Sequence, residues 1–205
     1  MGGRRIITAA SLLVLAAGVV WGAAALRGQA PALTTQDYID IEQLYIAYTN
    51  AIDFGDPEGL DYAGVFTPDG VFALVMRLAD GASGPGPCPG EGPWEIVDRE
   101  VIRGSMPDRD GSRVCVTVLD GADRLASMAS GFREVFGTSQ RHVYTNLRIT
   151  PAPDGARGFV YFTQLDVSTL PPTTSVTGIY EDTLVKTADG WRFKKRVHTH
   201  DAPYG

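Results

Sequence analysis

"RHVYTNLRITPAPDGARGFVYFTQLDVSTLPPTTSVTGIYEDTLVKTADGWRFKKRVHTH", residues 141–200, holds four β-prone runs separated by the turn signals "PAPDGA", "PPTTS" and Asp189-Gly190. Strands joined by such short connections pair antiparallel. The segments ahead of this stretch are mainly helical, so helices come first and a meander last, which is the order of an α+β domain rather than of a parallel α/β sheet. Strands this long twist and curl. The expected architecture is therefore a cone-shaped α+β barrel, a curved antiparallel sheet wrapped around the N-terminal helices with a cavity inside.

Upstream, "TTQDYIDIEQLYIAYTNAID" (34–53) has the pattern of an amphipathic helix, opened by a Thr34/Asp37 capping box. Tyr38, Ile41, Tyr45, Tyr48 and Ile52 form its buried stripe, and a second row runs through Ile39, Ile46 and Asp53, drifting about 20° per heptad. Asp53 thus falls on the margin of the buried face. Gly55 ends the helix, and Asp56 is the expected N-cap of a short second helix with Pro57 at its first position. Val71–Met76 reads as a strand, "WEIVDREVIR" and "SRVCVTVL" as a hairpin, and "GADRLASMASGFREVFG" as a helix that buries Leu125, Met128, Phe132, Val135 and Phe136.

The chain has 205 residues, 44% hydrophobic and 20% charged, which suits one domain with a real core. Its formal charge of -6 comes with no internal Lys/Arg cluster, so no nucleic-acid partner is expected. Residues 1–32 pair Arg4-Arg5 with an apolar run, Ile6–Leu26, and a small-x-small site, Ala30-Pro31-Ala32. This is an export signal, or else an uncleaved membrane anchor, and either places residues 33–205 outside the cytoplasm. Cys88 and Cys115 are the only cysteines. In an exported chain they are expected to form a disulfide bracketing an insertion of about residues 80–115; a reactive thiol is the alternative.

Asp53 carries the first hint of chemistry. Desolvation and the carbonyl end of the helix both disfavour a bare carboxylate there, so the group needs a partner or a task. A frayed last turn around Gly55 is the plainer explanation. In "HVYTN", alternation puts His142, Tyr144, Asn146 and Arg148 on one face of a strand, and if that face lines the cavity His142 can move protons near neutral pH. Asn146 would then orient a ligand or bond backbone at a sheet bend. Tyr48, and Tyr180 in "GIYEDTL", are core tyrosines or hydrogen-bond donors to the same cavity. His198 and His200 share a strand face; His-x-His is a weak metal signal, a solvated face fits it better, and no metal site is expected.

The order "IEQLYIAYTNAIDFGDPEGLDYAGVFTPDGVF", "RHVYTNLRI", "VTGIYEDTLVKTADGWRFKKRV" resembles the SnoaL-like group of the nuclear transport factor 2-like superfamily, which is similar to scytalone dehydratase and the bile-acid dehydratases. The resemblance runs from about Leu33 to Asp201, apart from the bracketed insertion. It implies an apolar carbonyl ligand, a homodimer, and dehydration or isomerisation without a cofactor. His142 would be the base, Asp53 its orienting partner and Tyr48 the enolate donor. A binding or accessory domain without chemistry is the alternative on the same fold.

Overall fold

The computed structural model describes residues 32–77, 95–98 and 113–202. The expected signal or anchor, Cys88 and most of the insertion lie outside the described residues. Among the described residues no helix is long and apolar enough to cross a membrane.

The described residues hold three helices and seven strands in the order α1 (Thr35–Phe54), α2 (Leu60–Gly64), β1 (Phe66–Arg77), β2 (Glu95–Asp98), β3 (Arg113–Asp120), α3 (Ala122–Phe136), β4 (Gln140–Ala152), β5 (Gly155–Asp166), β6 (Thr173–Thr187) and β7 (Gly190–His200). The strands form one sheet, β2-β3-β1-β7-β6-β5-β4. Every pairing is antiparallel except β1 with β7. The sheet is curved and unclosed, and it makes a cone-shaped α+β fold with the helices. On its concave side α1 packs against β4 and β7, and α3 against β1 and β3.

The capping box forms as the sequence indicates: Asp37 N donates to Thr34 Oγ1 at 3.1 Å, and Thr34 N donates to Asp37 Oδ2 at 2.9 Å. Asp37 Oδ1 also accepts from Lys186 Nζ at 2.7 Å and Trp191 Nε1 at 3.1 Å, which pins the start of α1 to the β6–β7 hairpin. The Lys186 ammonium, with Thr34 beside it, holds this carboxyl well below the usual range. Ile41, Leu44, Tyr45, Tyr48 and Ile52 fill the core. Tyr38, expected in that stripe, is 37% exposed, because the helix turns its Leu44 side to the sheet instead.

Two further helix expectations need correction. The second helix starts at Leu60 rather than Pro57, with Gly59 at its N-cap; Asp56 still caps it from a distance, accepting from Leu60 N at 2.9 Å and Asp61 N at 2.5 Å. Gly59 has φ 77°, and a Cβ there would lie 2.2 Å from the Ala126 carbonyl oxygen, so only glycine lets α2 touch α3 this closely. On α3, Leu125, Ala126 and Ala129 are buried while Val135 is 73% exposed, beyond the reach of the sheet.

Two β-bulges decide which side chains face inward. On β4, Thr145 pairs with Tyr161 and Arg148 with Phe159, so one extra residue is inserted, and Asn146 takes it up at φ 58°. The parity reverses there. His142 and Tyr144 face the core before the bulge, and Leu147 and Ile149 after it. The expectation that Asn146 and Arg148 share the His142 face is thus overturned: Asn146 is exposed, and Arg148 lies over the outer-face Phe159 ring, 5.2 Å from its centroid. On β7, Phe193 pairs with Leu184 and Lys195 with Thr183, leaving Lys194 as the extra residue. Trp191 and Phe193 point inward before it; Arg196, His198 and His200 do so after it.

Candidate functional site

Between the concave face of the sheet, α1 and α3 lies a cavity of about 340 Å³. Its walls are largely apolar, with Ile52 from α1, Phe72, Leu74 and Met76 from β1, Leu119 from β3, and Met128, Phe132 and Phe136 from α3. Polar side chains enter from Tyr48, Thr117, His142, Gln164, Tyr180, His198 and His200.

Asp53 stands behind His142. The carboxylate takes two hydrogen bonds from that one residue: His142 N donates to Oδ2 at 2.9 Å, and His142 Nδ1 lies 2.5 Å from Oδ1. Both side chains are only 5% exposed. The start of β4 therefore lies directly on the last turn of α1, which is why Asp53 is buried while Ile39 and Ile46, in the same helical row, are 46% and 49% exposed. Phe162 stacks on the imidazole at 5.3 Å, and Phe132 lies 5.7 Å away, so the ring has little freedom to turn. With a carboxylate accepting at Nδ1, the neutral form of the ring carries its proton on that nitrogen and leaves its lone pair on Nε2.

His142 is the cross-strand partner of Gln164. Gln164 Nε2 donates to Gln140 Oε1 at 2.9 Å, and Ser175 Oγ donates to the Gln164 carbonyl at 3.1 Å. The Gln140 bond fixes the carboxamide beside the imidazole, and the Ser175 bond, which reaches the backbone carbonyl, ties down the strand that carries it. Sequence reasoning passed over Gln164, although its alternation with the inward-facing Val160 and Phe162 marks it as a polar group on the core face.

Below the cavity lies a buried ion pair. Arg196 is 0% exposed and binds Asp182 through two parallel bonds, Nε to Oδ1 and Nη2 to Oδ2, both 2.8 Å. Its Nη1 donates to the Tyr144 hydroxyl at 3.0 Å, and Tyr45 donates to Asp182 at 2.5 Å. Burial works against the Arg196 charge, but the Asp182 carboxylate outweighs it. The guanidinium is sandwiched at 4.0 Å from the Tyr48 and Phe193 rings and 4.3 Å from Tyr180, which fixes the two tyrosines that line the cavity. Tyr48 also shares a 3.0 Å hydrogen bond with the fully buried Tyr62.

His198 and His200 are not on a solvated face. Because of the Lys194 bulge they turn inward, and His198 is 7% exposed. Burial pushes both imidazoles below their ordinary range, and for His198 the neighbouring His200, His142 and Arg196 add to it. No group of three or more metal-ligating side chains occurs among the described residues. Of the residues singled out in the sequence, Tyr48, His142 and Tyr180 line one cavity, Asp53 backs His142, and Asn146 lies outside. Cys115 is on β3, and its expected partner lies outside the described residues.

The model of the SnoaL-like domain matches residues 34–197. The chain belongs to the SnoaL-like domain family. Solved structures agree on the fold. A Nostoc punctiforme protein of unknown function with a cystatin-like fold superposes with TM-score 0.56 at 17% identity, over 83% of this chain and 96% of that one. ActVI-ORFA from Streptomyces coelicolor gives 0.53 at 21%, covering 80% and 97%. A protein from Catenulispora acidiphila, solved in complex with S-DNPA, gives 0.55 at 23%, covering 82% and 96%. No curated protein matches the chain. Membership supports a small-molecule-binding domain of nuclear transport factor 2-like fold.

Proposed function

We propose that this SnoaL-like domain is an exported, cofactor-independent dehydratase or isomerase acting on a small, largely apolar carbonyl compound. One observation carries the reading: a buried carboxylate orients an imidazole that lines an apolar cavity. His142 Nε2 removes a proton from the carbon next to the ligand's carbonyl, and the electron pair moves onto the carbonyl oxygen as an enolate. Asp53 holds the ring and stabilises the imidazolium that forms. Tyr48, whose hydroxyl is paired with that of Tyr62, donates a hydrogen bond to the enolate oxygen, and Tyr180 lines the wall beside it. When the enolate collapses, a hydroxyl on the next carbon leaves with the proton from His142; without such a group, the proton returns at a different carbon.

Export rests on the leading apolar segment, and in that setting Cys88 and Cys115 pair. Val143 and Tyr161, 40% and 45% exposed on the outer face of β4 and β5, suit a homodimer contact through the sheet.

The test is to recover the compound carried by the secreted protein by native mass spectrometry and incubate it with the protein in D2O. Deuterium uptake next to the carbonyl, or loss of water, that disappears in His142→Phe supports the proposal. Saturable binding with the compound returned unchanged would leave a carrier. The same mass spectrum reports signal cleavage, the disulfide and the assembly state.

A further inference from the structure

The mechanism above leaves His198 unused. In the order β7-β6-β5-β4 it is three strands from His142, yet both rings border the same cavity. Tyr180, its cross-strand partner, lies tilted against the ring at 4.5 Å and 32°, and Phe162 meets it edge-on at 4.7 Å and 88°. His200, 4.6 Å away, borders both the cavity and an adjoining groove of about 190 Å³ flanked by Thr174 and Thr177, so the pair stands where the cavity opens outward. His198 Nε2 is buried and has no hydrogen-bond partner among the described residues.

A buried polar nitrogen without a partner destabilises the fold, and the surrounding aromatic rings would suit a phenylalanine better. A bound group that reaches this nitrogen removes the penalty. The imidazole is uncharged in its aromatic setting, so it offers one N–H and one lone pair, which match a hydroxyl or keto oxygen. An anionic carboxylate or phosphate needs a cation, and Arg196, the guanidinium beneath the cavity, is engaged with the Asp182 carboxylate and the Tyr144 hydroxyl.

We infer that His198 is a specificity residue that binds a second, uncharged oxygen of the ligand, distinct from the carbonyl beside His142. The ligand is then a neutral ring compound with two separated oxygen functions, a hydroxy-ketone or diketone rather than a carboxylic acid or phosphate ester. This deepens the proposed function and rests on it.

Three bicyclic probes test the inference with the full secreted chain by equilibrium dialysis: naphthalene, 2-naphthol and 2-naphthoate. The wild type is expected to bind 2-naphthol about tenfold more tightly than naphthalene, a difference of about 1.4 kcal/mol, and 2-naphthoate more weakly than either. In His198→Phe the tenfold preference disappears while naphthalene affinity stays within about twofold. His198→Leu gives the same result if the phenylalanine variant does not fold, and His198→Gln, which keeps a donor and an acceptor, restores most of the preference. General damage to the cavity would weaken both neutral probes alike, so the ratio reports the hydrogen bond alone. A preference unchanged in both apolar variants, or 2-naphthoate binding as tightly as 2-naphthol, overturns the inference. Failure of the wild type to bind any of the three overturns the small-molecule reading itself.

Discussion

Asp53→Asn separates what Asp53 does for the fold from what it does for the imidazole. In the wild type one carboxylate accepts twice, from His142 N at 2.9 Å and toward Nδ1 at 2.5 Å. An asparagine has one acceptor and one donor end. The backbone N–H can only donate, so the carboxamide oxygen must face it and the amide NH2 must face Nδ1. The imidazole then accepts at Nδ1 and carries its proton on Nε2, so the atom left for the cavity becomes a donor where a base was needed. Backbone pairing survives, and the variant should lose only about 1–2 kcal/mol of stability, the difference between hydrogen bonds to a charged and to a neutral acceptor. Asp53→Ala removes both acceptors from a buried N–H and should cost about 3 kcal/mol or more. Turnover should fall by roughly 10³ to 10⁴ in Asp53→Asn, the scale seen when a catalytic histidine is held in the wrong tautomer. Nitrogen-15 spectra of the labelled imidazole read the tautomer without any substrate, and urea unfolding reads the stability. A His142 ring that keeps its proton on Nδ1 in Asp53→Asn would refute the reasoning.

Arg196→Met strands the Asp182 carboxylate in the core and should cost about 3–5 kcal/mol in urea unfolding, while Asp182→Leu in the same chain should return much of it; two single losses that simply add would disprove the coupling. Gly158→Ala would put a Cβ 2.0 Å from the Tyr45 hydroxyl oxygen but 3.2 Å from its Cζ, so Tyr45→Phe should make the alanine tolerable and the two changes together should cost less than their sum. His198 and His200 are depressed by burial, so the unfolded chain binds protons first as pH falls below about 6.5. Their contribution is complete above that pH and is lost below it, by up to about 1.4 kcal/mol per pH unit for each ring; denaturant midpoints at pH 7.5 and 5.5 should converge in His198→Phe relative to the wild type. Asn146→Gly should be neutral or slightly stabilising, whereas Asn146→Val, forcing a β-branched residue to φ 58°, should cost about 1–2 kcal/mol by thermal unfolding.

Local signals carried much of the fold into the sequence. The Thr34/Asp37 box and the 3.6-residue spacing of α1 lie within a turn or two, and the glycine-marked turns of the meander are equally local, so element type and order could be read directly. Asp53 was legible for the same reason, since a carboxylate in an apolar row is unfavourable wherever the rest of the chain goes. What was hidden depended on parity. A β-bulge adds one residue and exchanges every side chain beyond it between the two faces, and nothing in "HVYTNLRI" or "WRFKKRVHTH" fixes where that residue falls except the weak preference of Asn for φ above zero. A single slip at Asn146 moved Arg148 out, and another at Lys194 moved His198, His200 and Arg196 in. The second slip matters more for chemistry. Uninterrupted alternation from Trp191 and Phe193 would send Lys195 and Val197 into the core and leave the two histidines in water, setting Lys195 opposite Asp182 in place of Arg196 and giving the cavity a single imidazole. The bulged register gives Asp182 a guanidinium that meets it through two parallel bonds and reaches Tyr144 with a third, a planar fork that the Lys195 ammonium could not supply. The one bulge that sets Arg196 in the floor of the cavity therefore also brings His198 to its wall.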